Sequence, residues 1–208
     1  MAKRIFVTGI GTEVGKTFCS AILVEALEAD YWKPIQAGDL NDLDSLWVRD
    51  HISCIRSSFH KERYLLSAAM SPHAAAKKDG VEISLGDFNV PETIHPLVIE
   101  GAGGLMVPLN QKGDLMVDLI PIVSDETILV SMNYLGSINH TLMSAEILKS
   151  RKINVRGIIF NGERDEESEK IILAMTGFNC LLCVPPCEQD LKEFIRDQAL
   201  IVRESFAV

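Results

Sequence analysis

The sequence predicts a three-layer α/β/α domain built on a mostly parallel central sheet, and three observations carry that prediction. Short apolar runs of strand length alternate with amphipathic helical stretches along the chain. Those runs lack strict apolar/polar alternation, as expected of strands covered by helices on both faces. The 208 residues contain no internal repeat and no low-complexity linker, so one domain over 1–208 is expected.

The elements follow in order. A strand is predicted at 4–8 and a helix at 17–27, then a strand at 31–35 and, after a polar loop, a helix at 43–55. Strands are predicted at 97–99 and 127–132. A helix at 137–151 is capped by Ser137 and carries Ile138, Leu142, Ala145, Ile147 and Leu148 near helical spacing. A strand at 155–160 leads to a helix at 166–175, whose acidic start suits the helix dipole and which stops at Gly177. A strand at 181–184 and a helix at 190–198 complete the set. Between 56 and 96 only Ser71-Pro72 reads as a helix start. In this architecture ligands bind at the C-terminal edge of the strands.

Composition narrows the partners. Hydrophobic residues make up 47% and charged residues 24%, a globular balance. With 20 basic against 29 acidic residues the net charge is -9, a poor match to a nucleic-acid backbone or an anionic membrane, so neither is an expected partner. No apolar run approaches the ~18 residues of a membrane span. Only Ile5-Phe6-Val7 is apolar after the first four residues, too short for a secretory signal, so a cytoplasmic protein is expected. Cys180, Cys183 and Cys187 form C-x2-C-x3-C, but no second C-x2-C and no later histidine completes a zinc set; core packing is the preferred reading.

The chemistry concentrates in a few segments. Gly-Ile-Gly-Thr-Glu-Val-Gly-Lys-Thr at 9–17 follows a predicted strand and opens a predicted helix. In such a loop successive N–H groups cradle phosphates, Lys16 reaches the β- and γ-phosphates and the Thr17 hydroxyl ligates Mg²⁺. Five residues separate Gly9 from Gly15 where the common spacing has four, with Gly11 lending flexibility. A second segment, Glu-Gly-Ala-Gly-Gly at 100–104, places a carboxylate at a strand end before a glycine-rich turn, suited to a metal beside a nucleotide. Lys33 ends the second strand, either to offset charge on a transferring phosphoryl group or as solvated surface. Asp44 opens a helix as a cap or a metal ligand. Asn161 ends a strand, either reading a base edge or forming a turn.

Together these segments resemble the dethiobiotin synthetase family, ATP-dependent enzymes that close the ureido ring on the way to biotin. Besides 9–17 and Glu-Gly-Ala-Gly-Gly-Leu at 100–105, the matching pieces are Lys-Pro-Ile-Gln-Ala-Gly at 33–38, Ser-Pro-His at 71–73, Leu-Gly-Ser-Ile-Asn-His at 135–140, and Asn161. The resemblance implies a P-loop NTPase-like fold, a homodimer, and 7,8-diaminononanoate, CO2 (or bicarbonate) and MgATP as substrates. It implies nucleotide contacts from Thr12, Glu13, Val14, Gly15, Lys16, Thr17, Phe18, Asp44, Glu100, Gly101, Ala102 and Gly103. Base contacts would come from Asn161, Pro185, Pro186 and Cys187, and Mg²⁺ would lie among Thr17, Asp44 and Glu100. Lys33 and Lys16 would be catalytic. Lys33 and Gly103 would also meet the substrate, whose carboxylate tail would reach Gly136, Ser137, Ile138 and Asn139 of the neighbouring subunit. The chain departs from the family pattern at Ala37, where a hydroxyl is usual, and at Gly162, where an acid is common.

The main rival class is the partitioning or positioning ATPases, which share the fold but carry an extra lysine where Gly11 stands. They also work on DNA or membrane surfaces, and the mixed-sign stretch 190–204 is no basic membrane helix. A small-molecule kinase would instead transfer phosphate without needing CO2.

Overall fold

A computed structural model describes residues 2–206. Seven parallel strands form the central sheet: β1 (Arg4–Gly9), β2 (Asp30–Trp32), β4 (Phe59–His60), β6 (Leu97–Gly104), β7 (Glu126–Met132), β8 (Val155–Asn161) and β9 (Cys180–Val184). Their spatial order is β4-β2-β6-β1-β7-β8-β9. A separate parallel pair joins β3 (Ile35–Ala37) to β5 (Tyr64–Leu66). The helices are α1 (Lys16–Leu27), α2 (Asp44–His51), α3 (Pro72–Lys78), α4 (Met116–Val123), α5 (Ser137–Ser150), α6 (Glu166–Thr176) and α7 (Leu191–Glu204).

Successive side chains of a strand point to opposite faces, so each strand feeds two cores. Ile5, Val7, Val98, Ile128 and Val130 pack with Ile22 and Leu23 of α1, Val48 of α2 and Ile195 of α7. Phe6, Leu97, Ile99, Leu129 and Phe160 pack on the other side with Ile120 of α4, Leu148 of α5 and Ile172 of α6. This is the three-layer arrangement expected, and it explains the near-continuous apolar runs.

The structure revises several boundaries. The predicted strand at 31–35 is two strands in two sheets: Pro34 has no N–H for a ladder, and its carbonyl instead accepts from the N–H groups of Arg63 and Tyr64 (2.9 and 3.0 Å). The helix predicted at 43–55 stops at His51, because the Glu25 carboxylate takes the N–H groups of Ser53 (2.6 Å) and Cys54 (2.9 Å). The glycine-rich turn expected after Glu100 is strand: β6 continues to Gly104, and Gly9 pairs with Gly104. A Cβ on Gly101 would stand 2.8 Å from the Phe6 ring, so this glycine permits close packing and not a turn. Helix α5 is capped by Gly136, with Ser137 as its first residue. Helix α7 runs six residues past the predicted end at 198, with Asp190 as the cap accepting from Lys192 and Glu193 N–H groups. Strands β4 and β5 and helix α4 had no predicted counterpart.

The core-packing expectation for the cysteine cluster fails at Cys180, which is exposed, with Cys183 and Cys187 half-buried. The reason is topological, since β9 is the outermost strand.

Candidate active site

The loop between β1 and α1 is the wall of a cavity of about 840 Å³ at the C-terminal edge of the sheet. Gly15 caps α1 with φ +85, and a Cβ there would stand 2.1 Å from the Asn161 side-chain nitrogen, so the position excludes a side chain. Asn161 Nδ2 donates to the Val14 carbonyl (3.1 Å), which ties the loop to the end of β8. Lys16 arches back over the loop and donates from Nζ to the Gly11 carbonyl (2.8 Å). Burial pulls the Lys16 ammonium below its ordinary pKa; Glu100 opposes that pull and Lys33 adds to it.

Behind the loop lies a buried charge cluster. Lys33, 6% exposed, sits in the break between β2 and β3 that Pro34 creates. Glu100, 1% exposed, stands within β6, between β2 and β1. Its Oε1 accepts from Lys33 Nζ and from Thr17 Oγ1, and its Oε2 from the Tyr31 hydroxyl, each at 2.8 Å. Lys33 also pairs with Asp44, the first residue of α2. Burial opposes the Lys33 charge, but Glu100 and Asp44 outweigh it and hold the ammonium above its ordinary pKa. Burial likewise pushes Glu100 upward, yet the Lys33 charge and the hydrogen bonds from Lys33, Tyr31 and Thr17 leave it below the usual carboxylate range. Asp44 is raised by burial and the Glu100 charge, which together exceed the effect of Lys33. Tyr31 is pushed well up by burial and by Glu100, so its phenol stays a donor.

Thr12, Glu13, Gly15, Lys16, Thr17, Phe18, Lys33, Asp44, Glu100, Ala102 and Gly103 all line this one cavity. Other expected residues do not. Val14 is buried behind the loop and Gly101 packs on Phe6. Asn161, Pro185, Pro186 and Cys187 lie off the cavity wall. Gly136, Ile138 and Asn139 open onto a different cavity of about 850 Å³ with Tyr134, Leu135 and Arg164, while Ser137 is buried.

The structure also brings in residues that the sequence reading passed over. Tyr31 is fully buried in an apolar strand, and nothing local marks it as a partner of Glu100. Trp47 lies on the cavity wall and edges onto Phe18 (6.1 Å between ring centroids); its spacing of three from Asp44 on one helix was a usable signal. Met70 lines the same cavity, next to Ser71 and Pro72 of the Ser-Pro-His segment that the sequence already singles out.

A hydroxyl and two carboxylates converge here, and among the described residues no group of three His, Cys, Asp or Glu is placed to hold a metal. Hard oxygen donors in so small a number suit Mg²⁺, which keeps waters and takes further ligands from phosphates. Buried Glu100 and half-buried Asp44, balanced by Lys33, therefore fit a MgATP site.

A family model described as an AAA domain matches residues 3–193. The chain is 52% identical over 199 residues to the ATP-dependent dethiobiotin synthetase BioD of Cytophaga hutchinsonii, covering 95% of this chain and 96% of that protein. It is 56% identical over 172 residues to the protein of the same name from Christiangramia forsetii, covering 83% and 82%. Among solved structures it is similar to the septum site-determining protein MinD of Pyrococcus horikoshii, complexed with Mg-ADP. That likeness has a TM-score of 0.60 at 13% identity, covers 99% of this chain and 96% of the other, and shows the fold alone.

Proposed function

The chain belongs to the dethiobiotin synthetase family, and on that premise we propose that its loop cavity closes the ureido ring of dethiobiotin from 7,8-diaminononanoate, CO2 and MgATP. The enzyme is an ATP-dependent ligase that forms C–N bonds. A cytoplasmic homodimer is the form we assign to it.

One amine of the substrate takes up CO2 to give a carbamate. A carbamate oxygen attacks the γ-phosphate of ATP, and ADP leaves. The second amine attacks the carbamoyl phosphate carbon, expels phosphate and closes the ring. Negative charge accumulates around the transferring phosphoryl group, so fixed positive charge matters more than a dedicated base. Lys16 supplies it from the loop side and Lys33 from the buried side. Glu100 and Asp44 keep Lys33 charged and hold its stem in one place, so little reorganisation is left for the reaction. Thr17, Asp44 and Glu100 would hold Mg²⁺. When bound, that ion neutralises the β- and γ-phosphate oxygens. Loop N–H groups from Thr12 to Phe18 receive the phosphates. We assign the adenine to the edge formed by Asn161 and residues 185–187. The carboxylate tail of the substrate goes to the α5 start at 136–139 of a second subunit, where the positive end of the helix dipole suits an anion.

The observation that carries this reading is the bond from the buried Lys33 ammonium to Glu100, which also receives Thr17 at the mouth of the loop. The direct test supplies diaminononanoate, bicarbonate and MgATP and looks for products by mass spectrometry. Dethiobiotin and ADP are expected together, each requiring bicarbonate. ADP formed only with DNA or lipid, and no ureido product, would refute the assignment.

A further inference from the structure

The Cys180 and Cys183 sulfurs are in contact, 3.5 Å apart, although residues three apart on a regular strand face opposite sides. A bulge explains it. Ile158 pairs with Cys180 and the next residue, Ile159, pairs with Leu182, leaving Leu181 as the extra residue. Leu181, Leu182 and Val184 therefore all pack toward the α1 and α7 side, and Cys183 turns to the other face. β9 is the last strand of the sheet, so its far edge can adjust.

The two thiols are not equivalent. Cys180 is exposed, and its hydrogen-bonding contact with Cys183 draws its thiol down to about 7, against the effect of burial. Cys183 is half-buried, and its bond to Cys180 and its burial both push its thiol up. The Cys183 sulfur also faces Glu169 Oε2 at 3.7 Å, a buried carboxylate held by the Arg164 guanidinium (2.9 Å). Among the described residues no third His, Cys, Asp or Glu joins them as a metal set. A low-pKa, accessible thiol backed by a second thiol is the arrangement of thiol–disulfide exchange.

We propose that Cys180 and Cys183 are a redox-active dithiol, converted by low-molecular-weight disulfides into a disulfide within the chain. The Cys180 thiolate attacks one sulfur of the disulfide R–S–S–R. A bond from Cys180 to that sulfur forms as the S–S bond breaks, and RS⁻ leaves and is protonated by water. Cys183 then loses its proton to solvent and attacks the Cys180 sulfur, expelling the second RS⁻. Two protein thiols are oxidised and one disulfide is reduced to two RSH. The sulfurs already touch, so side-chain rotation on an outer strand suffices.

The test incubates the folded full chain with graded ratios of oxidised to reduced glutathione, traps free thiols with iodoacetamide, and maps peptides by mass spectrometry. A Cys180–Cys183 linkage is expected, reversed by dithiothreitol, while Cys54 and Cys187 stay alkylated and Cys19 is alkylated after denaturation. In a brief exposure to iodoacetamide alone, Cys180 should label at least about tenfold faster than Cys54. The C183S variant should accumulate a glutathione adduct on Cys180, and C180S should form no linkage. Recovery of both residues as alkylated thiols, under conditions that oxidise an unfolded Cys-x-x-Cys peptide, would overturn the proposal. So would a linkage through Cys187 or between chains. The wild-type mapping decides the matter even where a variant fails to fold.

Discussion

The loop cavity and the opening at the start of α5 are nearly equal in size, about 840 and 850 Å³, yet they are built differently. In the first, Lys33 and Glu100 are buried and each charge has partners from other elements: β2, α1 and α2 all converge on one carboxylate-centred cluster. In the second, Tyr134 and Leu135 are exposed, and Gly136, Ile138 and Asn139 line an open surface. The contrast teaches that a buried charge cluster for phosphate chemistry can be assembled within one chain, whereas the α5 start, to which we assign the substrate tail, stays an open surface.

Four substitutions probe that contrast, the largest effect first. Lys33→Ala removes the buried cation and should lower kcat by about 10²- to 10³-fold, with ATP affinity changed far less. Steady-state rates with calorimetric ATP titration check this, and equal losses in both would reduce Lys33 to a nucleotide contact. Thr17→Val removes the hydroxyl that we assign to Mg²⁺, along with its bond to Glu100, and should weaken Mg²⁺-dependent nucleotide binding by about tenfold or more. An unchanged metal dependence in a fluorescent-nucleotide titration would count against its assignment.

Tyr31→Phe should cost about 1–3 kcal/mol of stability, because it leaves a buried carboxylate oxygen without a donor. The pH dependence follows from the sign of the Glu100 shift. Its pKa is held below the ordinary 4.5 in the folded protein, so its ionisation stabilises the fold above that value. That stability is lost as pH falls through the lowered folded pKa. The Tyr31→Phe deficit, read from urea midpoints, should therefore be full at neutral pH and shrink in acid. A deficit that does not vary with pH would mean that the phenol acts by packing alone. Asn139→Ala, at the open surface, should raise KM for the diamino acid by about tenfold or less while nucleotide binding stays intact. A loss of nucleotide binding instead would erase the distinction between the two regions.

The same contrast marks how far the sequence could be read. The alternation of strands and helices was legible because periodic apolar patterns report burial directly, and the loop 9–17 because its glycines, lysine and threonine sit at fixed offsets between a strand and a helix. Features decided by remote partners were not legible. Glu25 ends α2 from 28 residues away, and Phe6 presses on Gly101 so that a glycine run reads as strand. Lys33 is indistinguishable from surface by spacing alone; Glu100, 67 residues downstream, makes it a buried ion pair. Tyr31 looks like any aromatic in an apolar run, and only the sheet order β2-β6 brings its hydroxyl to Glu100. The exposure of Cys180 is hidden for a similar reason, since neither its place on the outer strand nor the bulge at Leu181 is written in the local sequence.

The central claim is that a carbamate oxygen, not water, attacks the γ-phosphate beside Lys33. Turnover with ¹⁸O-labelled CO2, followed by mass spectrometry of the released phosphate, tests it most directly. The account predicts that each phosphate released with dethiobiotin carries one oxygen from CO2, with label also in the ureido carbonyl. Unlabelled phosphate released alongside dethiobiotin would contradict it.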